Sequence, residues 1–435
     1  MRRRSLKGKL WSDGDFLRLW TGETVSEVGT QVTLLAIPSV AILVLRAGPF
    51  EVGLLTALEF LAFPVLGLIA GVTADRVRRR PIMIVSDLGR VAALASVPIA
   101  AYLHVLTMNQ LYAVALVVGV FTVFFDVSYQ SYLPALIDRA ELVEGNSKLE
   151  VTRSSAQVAG PGIAGMLIQV VGGAAAVVVD AVSYLASAIA VVMIRKREPT
   201  PAPGGTDGQR SDILTELREG LDAVFGNRVI WRTVGCTATA NLGTNMIFAV
   251  ELIFFYRLLH LSPAVVGLIF AASGVGGILG ALSASTLARR VGVGPTIIGS
   301  TLIGAVGLFV LPVSLVGPAV PVIIAGYFLA SFANPVYNIT QVSLRQAITP
   351  DRVQGRMNAT VRTIVWGTIP LGAFVGGILG TAVGVIPTIL IGCVVATSSV
   401  LWVLGRPVRS LREQPQPVEP AGPKATSASP PWSSE

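Results

Sequence analysis

Twelve apolar stretches, each about as long as a membrane-spanning helix, alternate with polar connections along the chain. About 20 helical residues cross the roughly 30 Å hydrocarbon layer of a bilayer. The pattern therefore predicts an all-α polytopic membrane protein with twelve transmembrane helices. The predicted spans are roughly residues 19–45, 51–74, 81–104, 109–134, 149–171, 173–194, 229–257, 263–288, 294–316, 319–344, 357–381 and 384–404.

The connections divide the twelve stretches into two groups of six. Residues 199–208 are rich in proline and glycine, which is typical of a linker. The apolar stripe that follows predicts a short amphipathic helix at the cytoplasmic membrane surface; it consists of Leu214, Leu217, Leu221, Val224 and Phe225. We predict a cytoplasmic N-terminal segment (1–18), a six-helix bundle (19–194), a linker with the amphipathic helix (195–228), a second six-helix bundle (229–404) and a disordered cytoplasmic tail (405–435).

The two groups also repeat in sequence. Arg153 and Pro161 stand in the same spacing as Arg362 and Pro370, and each pair is offset by 209 residues (362 − 153 and 370 − 161). Both prolines begin glycine-rich apolar runs. The pattern is typical of transporters built from two parallel halves around a site in the middle of the membrane.

Basic residues lie on one side of this arrangement. They occur in the N-terminal segment and in every second connection, including residues 76–80, 195–197 and 289–290, whereas the alternate connections hold Arg46, Arg257 and little else. Because lysine and arginine are enriched in cytoplasmic loops, we expect both termini in the cytoplasm. The composition, rich in arginine, alanine, glycine and valine, is compatible with a bacterium, so we expect the chain in a bacterial cell membrane.

The composition fits the membrane class. Charged residues make up 13% of the chain and the mean hydropathy is +0.69, against about 25% charged residues in soluble domains. The net charge of +8 does not indicate nucleic-acid binding, because the basic residues flank apolar stretches. Cys236 and Cys393 lie inside separate stretches, so we expect core packing rather than a disulfide or a metal site.

The connection between the second and third stretches carries the pattern G-x-x-x-D-R-x-x-R-R. Its defining residues are Gly71, Asp75, Arg76, Arg79 and Arg80, and Arg78 stands where a second glycine is usual. The pattern resembles the signature of the major facilitator superfamily, and the resemblance extends over about residues 15–405. It implies that family's fold of two pseudo-symmetric six-helix halves. It also implies a gating role for Gly71, Asp75, Arg76 and Arg79.

A second motif lies in the fifth stretch. Gly160-Pro161-x-x-Ala164-Gly165 resembles the end of the antiporter motif G-P-x-x-G-G, with alanine in place of one glycine. In the family this motif marks exporters that exchange substrate for protons. With the repeat it predicts hinge positions at Gly160, Pro161, Gly165 and Pro370. Residues 87–90 and 355–360 resemble the branch that includes enterobactin exporters and macrolide-efflux proteins.

Acidic residues inside the apolar stretches are the candidate proton-coupling groups, because a carboxylate in a membrane needs a partner or a watery cavity. Glu23 and Glu27 share a helix face, Glu59 lies midway along the second stretch, and Asp126 lies in the fourth. The alternative for Glu23 and Glu27 is solvation at the interface. Structural roles are expected for Asp87 and Arg90, which neutralise each other or pair with the loop of Asp75, and for Asp180 at the start of the sixth helix. Glu251 is placed near the outer end of the seventh helix, where Arg257 is a candidate partner.

Arg153 and Arg362 occupy equivalent places in the two halves. Facing acids of the opposite half, they would form a breakable lock between the halves, and the alternative is that they reach the membrane surface. Asn241 and Asn245 give the seventh stretch a polar face, which assigns substrate binding to the second half. Further candidate substrate contacts are Tyr129, Tyr337 and Trp366.

No ATP-binding P-loop is present in the sequence, so we do not expect ATP-driven transport. We predict a proton-coupled antiporter that exports an amphipathic small molecule such as a drug, an antibiotic or a siderophore. It is expected to act as a monomer, without a cofactor and not as an enzyme. An uptake symporter or uniporter of the same fold is the alternative, and a membrane sensor without transport is a more remote one.

Overall fold

The computed structural model describes residues 9–196, 198 and 213–413, which fold into a bundle of α-helices. A short 3₁₀ turn, Lys9–Ser12, leads into the first half. The helices of the first half are α1 (Gly14–Leu43), α2 (Pro49–Arg76), α3 (Arg79–Tyr102), α4 (Met108–Leu136), α5 (Leu142–Val171) and α6 (Gly173–Val192).

The second half follows a short connecting helix, α7 (Ile213–Phe225). Its seventh span, α8 (Arg228–Ile253), continues as a π-helical turn, Phe254–Leu258. The ninth span is divided into two helices and a 3₁₀ turn, Ser314–Val316, and the twelfth span is divided into two helices. The remaining helices are α9 (Pro263–Val291), α10 (Val293–Gly307), α11 (Val310–Val313), α12 (Ala319–Ile348), α13 (Asp351–Ala382), α14 (Val385–Ser398), α15 (Val400–Val403) and α16 (Arg406–Arg409).

Local sequence signals set several of these boundaries. The Asp13 carboxylate accepts hydrogen bonds from the backbone N–H groups of Asp15 and Phe16 at 2.9 and 3.0 Å and caps α1. Three tight turns between successive spans each place a glycine at positive φ, at Gly172, Gly292 and Gly384. Only glycine adopts this conformation without strain, so one residue is enough to reverse the chain.

Eleven spans in the described part of the chain are long and apolar enough to cross a membrane. The span outside that group is α5, whose first turns carry Glu144, Lys148, Glu150 and Arg153. It still packs between α1, α6 and α9 as the fifth member of the first half. The all-α architecture of two six-helix halves is therefore the one that the hydrophobic pattern predicts.

Two features of the connecting segments differ from the expectation. Val224 of α7 is fully buried against Met357 and Val361 of α13. The amphipathic helix was expected at the membrane surface, but α7 packs on the second half. The tail was predicted to be disordered from residue 405, but Arg406–Arg409 is helical and buries Val408. The predicted first residue of the disordered tail is therefore wrong, because the buried side chain of Val408 holds Arg406–Arg409 against the bundle. Residues 1–8, 197, 199–212 and 414–435, which include parts of the predicted terminal segments and linker, lie outside the described residues.

The two halves meet through α5 against α9 and through α2 against α13. We call the end of the bundle that carries Arg76–Arg80 and Arg289–Arg290 the basic end, and the end with the connections 44–48 and 259–262 the opposite end. At the opposite end the helix pairs meet backbone to backbone. A Cβ on Gly165 would lie 2.8 Å from Gly267 Cα, and one on Gly53 would lie 2.7 Å from Gly377 Cα.

Hydrogen bonds join the halves at the same end. Arg257 donates to the carbonyl oxygens of Ile42 and Ala47 at 3.2 and 2.8 Å, and the hydroxyls of Ser39 and Tyr256 lie 2.8 Å apart. Towards the basic end the contact between α2 and α13 opens. A Cβ on Gly67 or Gly71 would meet no described atom within 4 Å. The halves are therefore in close contact at the opposite end, whereas towards the basic end a cavity lined by Gly67 of α2 and Arg362 of α13 separates them, and we call the basic end the open one.

Candidate functional site

A cavity of about 240 Å³ lies inside the first half. Its wall brings together all four acids that the sequence nominates as proton-coupling groups, from helices α1, α2 and α4: Glu23, Glu27, Glu59 and Asp126. One carboxylate oxygen of Glu23 is buried without a hydrogen-bond partner among the described residues. The acids therefore line one interior space, although the stretch of sequence from Glu23 to Asp126 is more than 100 residues long.

Asp180 is a further acid of this cavity, and its expected place was wrong. It lies well inside α6, is fully buried and lines the cavity, instead of starting the helix. Ser183 donates to one of its oxygens at 3.0 Å, and the other oxygen has no partner in the described structure. The close packing of α1 against the Asp180 carboxylate depends on Gly29 of α1, because a Cβ at that position would lie 2.6 Å from Asp180 Oδ1. The apolar residues on both sides of Asp180 indicate a deep position, and this signal was available in the sequence.

Asp87 and Arg90 form the expected pair within α3, and both side chains are buried. The guanidinium carbon of Arg90 lies 4.4 Å from the ring centroid of Phe125 and 3.9 Å from that of Tyr184. This cation–π arrangement and the ion pair hold Arg90 in the cavity wall. Since Asp87 neutralises Arg90, this arginine is not free to balance the other acids.

Arg153 lines the acid cavity from α5, in its own half. Arg362 lies beside a second cavity, of about 280 Å³, between the halves, and its guanidinium carbon lies 4.8 Å from the ring centroid of Trp366. Asp126 and Trp366 line both cavities. Neither arginine forms an ion pair with the opposite half within the described residues, in a structure whose basic end is open. The predicted lock remains a prediction for a conformation closed at that end.

The signature residues lie at the basic end. Asp75 and Arg76 are exposed at the end of α2. Arg79 lies 3.6 Å from the carboxylate of Glu198, which also accepts hydrogen bonds from the backbone N–H groups of Arg79 and Arg80. Glu198 thus caps α3, a contact that no motif in the sequence indicates. The predicted gating roles of these residues remain predictions.

A third cavity, of about 290 Å³, lies inside the second half among α8, α9, α10, α12 and α14. Asn241 and Tyr337 line it, and their roles in substrate binding remain predictions. Asn245 instead donates to the Asn241 carbonyl oxygen at 2.8 Å, and Tyr129 stacks on Phe125 with ring centroids 6.1 Å apart. Trp366 packs against Phe63 of the other half, with ring centroids 4.8 Å apart.

The expected pair of Glu251 and Arg257 is wrong. Glu251 is buried and accepts a hydrogen bond from the hydroxyl of Tyr327, whereas Arg257 bonds backbone carbonyls across the interface between the halves. The residues are six positions apart, which places them on different faces of a helix.

Two of the predicted hinge residues lie at helix contacts. A Cβ on Gly160 would lie 2.4 Å from Gln31 Cβ, and Gly165 contacts the opposite half. Pro161 and Pro370 lie inside α5 and α13. The role of these residues as hinges remains a prediction. Cys236 and Cys393 are free and buried in separate apolar clusters, which confirms the expectation of core packing.

The family model described as transmembrane secretion effector matches residues 11–424, nearly the whole chain. The chain belongs to this family. The transmembrane secretion effector family lies within the major facilitator superfamily, so the protein is a multi-pass membrane transporter of that type and not an enzyme. This confirms the family and the fold that the signature residues indicated.

Two relatives are named as export proteins. The multidrug efflux pump Tap of Mycolicibacterium fortuitum is 26% identical over 390 residues, which cover 87% of this chain and 92% of Tap. The enterobactin exporter EntS of Citrobacter koseri is 25% identical over 420 residues, which cover 94% of this chain and 95% of EntS.

The fold is also similar to that of a solved transporter. The structure of a bacterial homologue of the iron transporter ferroportin, in an inward-facing state, matches with a TM-score of 0.72 and 15% identity, over 92% of this chain and all of that one. A structure with that description in the outward-facing state matches with a TM-score of 0.56. At this identity the likeness concerns the fold alone.

Proposed function

We propose that this transporter is a proton-coupled antiporter that exports an amphipathic small molecule by alternating access. The basic end faces the cytoplasm, in accordance with the distribution of lysine and arginine, and both termini lie there. The structure described above is then open to the cytoplasm, ready to receive a substrate. The chain acts as a monomer in the bacterial cell membrane.

The observation that carries this proposal is the imbalance of charge in the acid cavity. Among the described residues its wall holds two arginines and five acids, namely Glu23, Glu27, Glu59, Asp126 and Asp180. One of the two arginines, Arg90, is already paired with Asp87. Because unpaired carboxylates are costly in a membrane interior, the cavity retains protons and can exchange them when the opening changes sides.

Export, rather than uptake, is supported by the relatives and by the sequence. Tap and EntS are named as an efflux pump and an exporter, and residues 160–165 resemble the antiporter motif. The fold by itself does not set the direction of transport. An uptake symporter of the same fold is therefore the outcome against which the test is designed.

The test follows proton movement in everted membrane vesicles energised to an acid interior. We expect a transported compound, from a panel of macrolides, siderophores and lipophilic cations, to dissipate the pH gradient in vesicles that contain the wild-type protein. Glu59→Gln and Glu27→Gln should each abolish most of this response, since an amide cannot carry the proton. Glu51→Gln is the matched control, because Glu51 lies on the same helix as Glu59 but outside the cavity lining.

The vesicle experiment has three outcomes that bear on the proposal. A response that survives in Glu59→Gln and Glu27→Gln at wild-type expression would refute the acid cavity as the proton site. Absence of any response, together with proton-driven accumulation of the compound by intact cells, would show uptake instead of export. Equal loss in Glu51→Gln would show that the amide substitutions act through folding.

A further inference from the structure

The cavity inside the second half differs from the acid cavity in its chemistry. Within the described part of the chain, every residue that lines it is uncharged. The polar members are Asn241, Thr244, Ser273, Ser300, Thr301, Tyr327, Ser331, Asn334 and Tyr337, and the others are alanine, glycine, leucine or phenylalanine. The two halves of the transporter therefore offer one acidic and one neutral cavity.

Several of these polar groups are free to bind a ligand. Among the described residues, the side chains of Thr244, Ser331 and Asn334 have no hydrogen-bond partner, and Asn241 uses only one N–H, to the Val365 carbonyl oxygen at 3.4 Å. Thr244 and Asn241 lie one turn apart on α8, and Ser331 and Asn334 lie one turn apart on α12. The free groups thus form two short polar patches on two helices of the cavity wall.

The other hydroxyls of the wall are already occupied. Ser273, Ser300 and Thr301 donate to carbonyl oxygens of their own helices at 2.6 to 2.8 Å. Their donors satisfy the backbone and are not available to a ligand. This contrast separates a small set of available groups from the larger polar wall.

An acid behind the wall, Glu251, is shielded from the cavity. Glu251 is 3% exposed, and the Tyr327 hydroxyl, which donates to it, stands at the cavity surface. A cation in the cavity would therefore lose water without meeting a counter-charge, which is unfavourable. A neutral ligand loses much less, because hydroxyl and carbonyl groups can pair with amides and hydroxyls of the wall.

We propose that this cavity binds the uncharged, oxygen-bearing and largely apolar body of the transported molecule. Asn241, Thr244, Ser331 and Asn334 supply the hydrogen bonds, and Phe248 and Phe270 supply apolar contact. The volume of about 290 Å³ is close to the lower end of drug-sized pockets, roughly 300 Å³. The role of this site in export rests on the proposed function, whereas the preference for a neutral ligand does not.

The test is equilibrium binding to the purified full chain in lipid nanodiscs at pH 8, with no pH gradient. The probes are radiolabelled chloramphenicol, which is uncharged and carries hydroxyl and amide groups, and tetraphenylphosphonium, an apolar cation. We expect Asn334→Asp to weaken chloramphenicol binding about tenfold or more and to strengthen tetraphenylphosphonium binding, because it places a carboxylate in the wall. Asn338→Asp is the matched control, on α12 one turn away and outside the lining.

Thr244→Val provides a second variant that conserves volume. It should weaken chloramphenicol binding several-fold and leave tetraphenylphosphonium binding unchanged, since it removes one hydroxyl. Size-exclusion profiles of the variants should match that of the wild type. Failure of the wild-type protein to bind chloramphenicol, or binding that Asn334→Asp and Thr244→Val leave unchanged, overturns the assignment.

This experiment is independent of the proton measurement. Chloramphenicol binding that responds to Asn334→Asp, without any proton movement in vesicles, supports the neutral site and refutes proton antiport. Proton movement that depends on Glu59, with chloramphenicol binding indifferent to Asn334, supports antiport and overturns the neutral site.

Discussion

Replacing Gly165 by alanine tests the closed contact between α5 and α9 at the opposite end. The new Cβ would lie 2.4 Å from the Pro263 carbonyl oxygen and 2.8 Å from Gly267 Cα. Ordinary contacts between carbon atoms lie at about 3.5 to 4.0 Å. The two backbones would therefore have to separate by roughly 1 Å.

The free-energy cost of this separation falls on one conformation. Overpacking of this kind costs about 1–3 kcal/mol, and it applies only where the opposite end is closed. Alternating access requires a second conformation in which that end is open, and the added methyl group is accommodated there. A differential cost of about 1–3 kcal/mol corresponds to a shift of roughly 5- to 150-fold towards the conformation open at the opposite end.

The shift can be measured with a single reporter cysteine. Ser39 is 1% exposed and faces Tyr256 of the other half, so a Ser39→Cys thiol reacts with a membrane-impermeant maleimide only when the opposite end opens. Cys236 and Cys393 are buried and contribute little background. In intact cells the labelling rate of Gly165→Ala should rise by roughly 5- to 150-fold over the Ser39→Cys parent.

Gly299→Ala is the matched control for this substitution. Gly299 lies within α10, and a Cβ there would meet no described atom within 4 Å. The control should therefore label at the parent rate. An unchanged labelling rate in Gly165→Ala, with normal expression, would show that the glycine contact does not determine the balance between conformations.

Two further substitutions test other contacts. Arg257→Gln removes the charge-assisted hydrogen bonds across the opposite end. In the same Ser39→Cys assay it should raise the labelling rate by roughly 5- to 150-fold. An unchanged rate would exclude a role of Arg257 in closing the opposite end. Gly220→Ala places a Cβ 2.3 Å from Thr360 Oγ1, so α7 should dock on α13 about 1–3 kcal/mol less tightly. Trypsin cleavage after Arg218 should then be faster, and cleavage at the wild-type rate would contradict the docking.

The sequence could predict the spans and most of the acid cavity. Long apolar stretches mark helices by length alone, and carboxylates such as Glu59 inside them require an explanation in a membrane. Asp180 is also an acid inside an apolar stretch. Its contact with α1, however, depends on Gly29, which is distant in sequence. The acids that share a cavity could therefore be nominated, whereas their number and grouping required the packing of α1 against α6.

Pairings that depend on helix rotation were the least predictable. Glu251 and Arg257 are close in sequence but lie on different faces of the helix. Glu251 contacts Tyr327, whereas Arg257 contacts the first half. Arg79 and Arg80 likewise meet Glu198, which follows the sixth span and carries no motif. In the second half, the absence of charged side chains from the cavity wall, among the residues that the structure describes, emerges only when five helices are assembled.

The contact that closes the opposite end is made largely by glycine and main chain, at Gly53, Gly165, Gly267 and Gly377. The residues that line the neutral cavity are different positions on the same bundle. If the neutral cavity is the proposed binding site, point changes there alter which compounds the transporter accepts and leave the closing contact intact. In a transporter of this family, substitutions at the proposed binding site can therefore accumulate without making the membrane leaky.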